Sequence, residues 1–121
     1  MGNETHRLGR TGEAQAALYL KKKQYTILET NFRTRLAEVD IIAKKADTLC
    51  FIEVKTRRKT TRGLAKESVT LGKQQKIIRA AKIYIQKKAP MDYRIRFDVI
   101  EVVPEKKGFH INMIKNAFQV E

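Results

Sequence analysis

Glu53 and Lys55 stand two positions apart in the apolar run Phe51-Ile52-Glu53-Val54-Lys55, and Asp40 stands inside Val39-Asp40-Ile41-Ile42. A charge in such a run costs free energy to desolvate, so it needs a partner, a metal ion or a place at the wet edge of a sheet. Side chains alternate along a strand. This puts Glu38, Asp40 and Ile42 on one face of their strand and Leu49, Phe51, Glu53 and Lys55 on one face of theirs. Two carboxylates side by side repel, and a divalent cation relieves the repulsion by taking oxygen ligands from both. Asp40 and Glu53 are therefore a candidate Mg²⁺ or Mn²⁺ site. Lys55, on the same face as Glu53, could orient an attacking water and balance the charge that develops on a phosphodiester in its transition state. The bland alternative is that Glu53 and Lys55 are ordinary solvated strand residues, since Glu-x-Lys is common. Asp40 across a hairpin makes that coincidence harder to accept.

Other side chains extend the candidate set. Arg57, Arg58, Lys59 and Arg62 follow Lys55 directly. A basic segment there would lie beside a scissile phosphate and clamp the backbone, although a charge run is ordinarily a solvated face. Lys73 falls near the start of a helix, where the macrodipole disfavours a cation; an external anion would explain it, and so would chance. Gln74 falls on the extended apolar stripe of that helix, either at its dry-to-wet border or aimed into a site. Arg57, Arg58, Lys59, Arg62, Lys73 and Gln74 are the candidate nucleic-acid contacts. Glu13 lies in the first turn of an expected helix, where a carboxylate opposes the macrodipole for about 0.3 to 1 kcal/mol, a structural role that suffices by itself.

Lys and Arg number 26 against 13 Asp and Glu in 121 residues, a formal net charge of +13. That imbalance repels itself unless a polyanion neutralises it, and nucleic acid is the obvious polyanion. An anionic membrane is the competing partner, but the longest apolar runs are strand-sized and the basic residues are not confined to one amphipathic helix, so no membrane is expected. Cys50, between Leu49 and Phe51, is expected to be a buried, inert thiol. His6 and His110 are isolated, and with one cysteine they offer no zinc spacing. Neither a P-loop, a Gly-x-Ser-x-Gly elbow nor a dinucleotide fingerprint occurs, which leaves phosphodiester cleavage as the enzymatic reading with a mechanism. No secretory signal or membrane-spanning segment is expected from the polar N-terminal residues, so the expected location is cytoplasmic.

These residues need elements to hold them, and the length suits one domain over residues 1–121. Residues 1–9 read as a polar tail. Thr11 caps an expected helix over 12–23, with Ala14, Ala17 and Leu18 at helical spacing and Lys21, Lys22 and Lys23 near its carbonyl end. Residues 25–32 read as a short strand with a turn at Thr30-Asn31. Residues 38–44 and 49–56 read as a hairpin around Lys45-Ala46-Asp47-Thr48. Residues 57–68 hold too little apolar surface to bury and are expected as a mobile basic loop. A second helix is expected over 71–88, with an apolar stripe of Ile77, Ile78, Ala81, Tyr84 and Ile85, and strands over 93–103 and 109–114 complete the chain. The order predicts an α/β fold, a mixed sheet of four to five strands flanked by helices.

Asp40, the intervening hairpin and Glu53-Val54-Lys55 together resemble the PD-(D/E)xK nuclease signature. Gly12-Glu13, Asn31-Phe32-Arg33, Glu38-Val39-Asp40, Val69-Thr70, Lys73-Gln74, Arg96-Phe97-Asp98-Val99 and Asn116-Ala117-Phe118 resemble the YraN family of small bacterial proteins. The resemblance covers nearly the whole chain. It implies a restriction-endonuclease-like fold and kinship with archaeal Holliday junction resolvases, which cut branched DNA with Mg²⁺ as dimers. It also implies that Glu13 completes a metal site built on Asp40 and Glu53, that Lys55 is the catalytic lysine, and that a homodimer forms. Ala37 departs from the family, which usually has Gly there. The leading functional reading is thus a Mg²⁺- or Mn²⁺-dependent DNA endonuclease. The alternative is a nucleic-acid-binding module that keeps the nuclease fold without catalysis, and a third reading is a basic ribosome- or protein-associated factor.

Overall fold

A computed structural model describes residues 2–57, 69–88 and 92–120, with residues 2–10 described as backbone only. Helix α1 spans Gly2–Lys22, strands β1, β2 and β3 span Thr26–Arg33, Glu38–Lys45 and Thr48–Thr56, helix α2 spans Leu71–Lys88, and strands β4 and β5 span Arg94–Glu105 and Gly108–Phe118. The strands form one mixed sheet in the order β1-β2-β3-β4-β5. β3 and β4 run parallel and every other neighbouring pair is antiparallel. A parallel pair needs a long crossover, and α2 lies within it.

The alternation of apolar residues in β2 and β3 gives the sheet two dry faces. Ile42, Leu49, Phe51 and Val99 pack with Ile77, Ala80, Ala81 and Tyr84 of α2. Ile41, Cys50, Ile52 and Ile100 pack with Ala16 and Leu20 of α1. Strands buried on both faces read as near-continuous apolar runs, which is what 49–54 and 97–103 look like. Phe51 is central, stacked on Phe97 with centroids 5.7 Å apart and edge-on to Tyr84 at 6.0 Å. Cys50 is fully buried, as expected.

Three local expectations change. The first helix begins at Gly2, so the segment read as a polar tail has helical backbone and Thr11 lies inside the helix instead of capping it. Propensity is a weak prior there: once the Ala16–Leu20 turns are packed, adding residues to an existing helix costs little. The turn expected at Thr30-Asn31 is instead continuous strand, within which Asn31 takes a left-handed φ of 53° that Asn tolerates. β4 runs through Pro104, which no strand contradicts, since β3 stops pairing at Val102 and asks no N–H of Pro104.

α1 is seated by Gly12. A Cβ added there would fall 1.9 Å from Thr56 Oγ1, and turning the Thr56 hydroxyl away still leaves its Cβ at 3.1 Å. Gly12→Ala gains about 0.5 to 1 kcal/mol of helix propensity but loses about 1 to 3 kcal/mol to overpacking. The expected result is a lower thermal midpoint, and an unchanged or higher one would mean that α1 is not held this closely to β3.

β5 is fastened by a charged network under α1. Asp98, fully buried, accepts from Arg96 Nε at 2.9 and 3.1 Å and from the Asn116 backbone N–H at 2.8 Å. Arg96 Nη2 donates to the Tyr25 hydroxyl at 2.8 Å. The β4–β5 register shifts between Phe97 and Val99, and Asn116 has a φ of 55°. Asp98 thus satisfies the N–H that this bulge removes from the ladder.

Candidate active site

The β2–β3 ladder runs from Lys45↔Thr48 to Ile41↔Ile52, while β2 itself begins earlier at Glu38 and β3 continues to Thr56. Asp40 and Glu53 are the next opposed positions, where the two strands part. The Val54 N–H, released from the ladder, donates to Asp40 Oδ2 at 2.7 Å. The opening is a cavity of about 590 Å³ whose lining includes Glu38, Asp40, Glu53, Lys73 and Lys76. By strand alternation Asp40, Glu53 and Lys55 share the face that carries Ile42 and Phe51, and α2 covers that face.

Glu53 is 3% exposed, and two cations meet it. Lys73, from the first turn of α2, pairs with Glu53 Oε2, and Lys55 Nζ lies 3.8 Å from the same oxygen. Thr70 places Lys73: its hydroxyl accepts from the Lys73 N–H at 3.2 Å and its carbonyl from the Gln74 N–H at 2.9 Å, capping α2. The anion that Lys73 meets here is the protein's own Glu53; the sequence had left an external anion and chance as its two readings. Burial would lower the Lys73 pKa, but the close approach of Glu53 and the charge of Asp40 outweigh it and raise it. Lys55 goes the other way, lowered first by burial and then by the charge of Lys73. A lysine so perturbed beside two carboxylates is a candidate to take and return protons.

Asp40 has its pKa pushed up to about 8, first by burial and then by its hydrogen bond to Glu53 and the charge of Glu53, against the Val54 N–H, which lowers it. Its folded pKa thus lies above its ordinary value of 3.8. Stability from this group is complete below that ordinary value and is lost as pH rises through about 8, because the unfolded chain releases the proton first. Asp40→Asn imitates the protonated form. Its advantage over the wild type in thermal unfolding should grow from about pH 4 to pH 8, reaching roughly 1 to 3 kcal/mol. An advantage that does not change with pH would contradict this assignment.

Glu13 does not join the pair in a compact group. It comes from α1, which packs on the opposite face, and it borders a separate hollow with Thr30, Asn31 and Ile41. With the Asn31 amide nitrogen turned toward them, Asn31 donates to Glu13 Oε1 at 2.9 Å and to Glu38 Oε1 at 3.0 Å. The Glu13 pKa is raised by burial, then by the charges of Glu38 and Glu53, with the Asn31 bond opposing. Among the described residues, no three acidic, His or Cys side chains form a group that could hold a metal ion. Mg²⁺ commonly takes one or two protein carboxylates and completes its shell with water and phosphate oxygens. Asp40 and Glu53 suit that arrangement; a cage of three carboxylates is not what this site offers.

The expected nucleic-acid contacts divide. Arg57 pairs with Glu101, Nε to Oε2 at 2.9 Å, and its N–H donates to the Val102 carbonyl at 2.9 Å, so it anchors the end of β3. Glu101, 6% exposed and beside Lys55 on the next strand, was not singled out in the sequence; its place in the Val99–Val103 run carried the same sign of a compensated charge. Gln74 is half-buried and donates to the Val69 carbonyl at 2.9 Å, the border placement and not an aim into the site. Arg58, Lys59 and Arg62, like most of the basic loop, lie outside the described residues.

Residues 12–102, which include Glu13, Asp40, Glu53, Lys55 and Lys73, match the Uncharacterised protein family UPF0102. The chain belongs to that family. A UPF0102 protein of Desulforapulum autotrophicum is 47% identical over 121 residues, 100% of both chains. One from Acetivibrio thermocellus is 46% identical over 126 residues, covering 98% of this chain and 97% of its own. One from Clostridium acetobutylicum is 49% identical over 121 residues, covering 95% and 99%. The YraN resemblance in the sequence is thus membership of UPF0102. Among the described residues, no helix is long and apolar enough to cross a membrane.

Proposed function

We propose that this UPF0102 protein is a divalent-metal-dependent endonuclease of restriction-endonuclease-like fold that hydrolyses phosphodiesters in DNA. One observation carries the reading: buried Glu53 and half-buried Asp40 share the open end of a hairpin with Lys55 and Lys73, in a chain of net charge +13. Asp40 and Glu53 would hold Mg²⁺ or Mn²⁺, which when bound supplies Lewis acidity and a more acidic water. The chain's own groups do the rest. The Val54 N–H keeps Asp40 oriented, Lys55 exchanges a proton with water at Nζ, and Lys76 offers charge to a phosphate at the cavity wall. Glu13 acts from α1 through its charge on Glu53. Branched DNA as substrate, a homodimer as the working unit and a cytoplasmic location belong to this proposal through the resemblance to junction resolvases.

A second reading, a nucleic-acid-binding module without catalysis, is favoured by one observation: Glu53 already has two lysine partners. The test is incubation with branched and linear duplexes in Mn²⁺, with and without a chelator. Cutting that the chelator stops supports the nuclease. Salt-sensitive binding without cutting, unchanged when Asp40 or Glu53 is replaced, selects the binding module.

A further inference from the structure

We infer that Lys73 is a built-in counterion of the carboxylate pair that exchanges with the divalent cation, so that Lys73 is confined to Glu53 in the metal-free protein and released toward a substrate phosphate in the loaded one. The inference rests on the metal reading of the site. Glu53 is almost fully buried and would be costly to leave unpaired, and α2 delivers an ammonium group to it. Lys73 is badly placed by every other measure. It sits in the first turn of α2, a turn without acidic residues, where the helix dipole opposes a cation. Lys55 already faces the same oxygen and Lys76 lines the same cavity. Thr70 holds its backbone, and among the described residues it is Glu53 of the carboxylate pair that its ammonium group meets.

The two lysines differ in freedom. The Lys73 side chain is 45% exposed and stands at the cavity wall, whereas that of Lys55 is 28% exposed and rooted in the sheet. A divalent cation held by Asp40 and Glu53 would repel both ammonium groups, and Lys73 is the more exposed of the two. A long, flexible ammonium released there is suited to an anion, and the anion entering this cavity in the proposed reaction is a phosphate. Lys73 would then switch partner from Glu53 to the nucleic-acid backbone. This coupling balances the charges of the site fully only when cation and substrate are both present.

The experiment is calorimetric titration of Mn²⁺ alone into wild type, Lys73→Met and Lys73→Arg at one fixed pH, with thermal unfolding of each to verify the fold. Loss of the competitor should tighten Mn²⁺ binding by roughly tenfold or more in Lys73→Met, while Lys73→Arg, which keeps the charge, stays near wild type. Binding seen only in Lys73→Met supports the exchange equally. Equal or weaker binding in Lys73→Met overturns the exchange and leaves the nuclease reading standing. No Mn²⁺ binding to any of the three overturns both. Lys73→Gln carries the same expectation should the Met variant fail to fold.

Discussion

Glu53→Gln should lower metal-dependent DNA cleavage by at least about a thousandfold while the protein still folds. The substitution keeps the volume of a side chain that is 3% exposed, so the Phe51 and Ile77 packing below it is not opened. What changes is charge. Lys73, 45% exposed, turns to water, and Asp40 loses the neighbour whose hydrogen bond and charge help raise its pKa to about 8. Asp40 therefore ionises at lower pH in the variant and becomes the sole carboxylate of the pair. A single carboxylate cannot supply the two-sided oxygen set expected of the site, so Mn²⁺ affinity should fall with activity. DNA binding by the basic surface should persist, with its steep salt dependence. Cleavage retained within about tenfold of wild type, in a preparation free of contaminating nuclease, would remove Glu53 from the chemistry.

The largest effect on stability should come from Asp98→Ala. Removing this carboxylate leaves the part-buried Arg96 guanidinium without its ion-pair partner, and leaves the Asn116 N–H at the β5 bulge without an acceptor. Breaking a buried pair by removing one member costs about 3 to 5 kcal/mol, a large share of the roughly 5 to 15 kcal/mol by which a domain is stable. A fall of at least about 10 °C in the thermal midpoint follows. Asp98→Asn retains an acceptor for Asn116 and should lose less. A midpoint within a degree or two of wild type for the Ala variant would show that β5 is held by its ladder and by Phe118 alone. Asp98 and its neighbours Arg96 and Asn116 are thus family-resembling residues with a structural task, distant from the carboxylate pair in role.

Neither variant would be interpretable without knowing which acidic residues are structural and which are poised. Glu101 and Asp98 are each matched by an arginine within 2.9 Å. Asp40 and Glu53 are matched by lysines, a backbone N–H and each other. Arginine pairs are geometrically fixed and always charged, whereas a lysine on a flexible stem can leave or lose its proton. That difference in partner separates a latch from a site more clearly than burial does, since Asp98 is the most buried of the four.

How much of this was readable without coordinates depends on the distance over which each contact acts. Strand alternation put Asp40 with Ile42 on one face of the first hairpin strand and Glu53 with Phe51 and Lys55 on one face of the second; the register of the pairing then made the two faces the same. Helix α2 was legible from end to end, since its stripe of Ile77, Ala81 and Tyr84 repeats at helical spacing and buries as such. The strand content and mixed sheet followed from the order of elements. Three things did not follow. The start of α1 at Gly2 was hidden because a helix extends from a packed nucleus through residues with no apolar pattern of their own. Glu13 was placed with the pair only by the family resemblance, and no periodicity showed that Asn31 bridges it to Glu38 while it borders a separate hollow under α1. The pairing of Lys73 with Glu53, and of Arg57 with Glu101, joins charges whose meeting depends on how α2 packs over β3 and how β4 pairs beside it. Periodicity within a segment determines which face a side chain takes; only the packing of segments against one another decides which charge it meets there, and at this site that decides the chemistry.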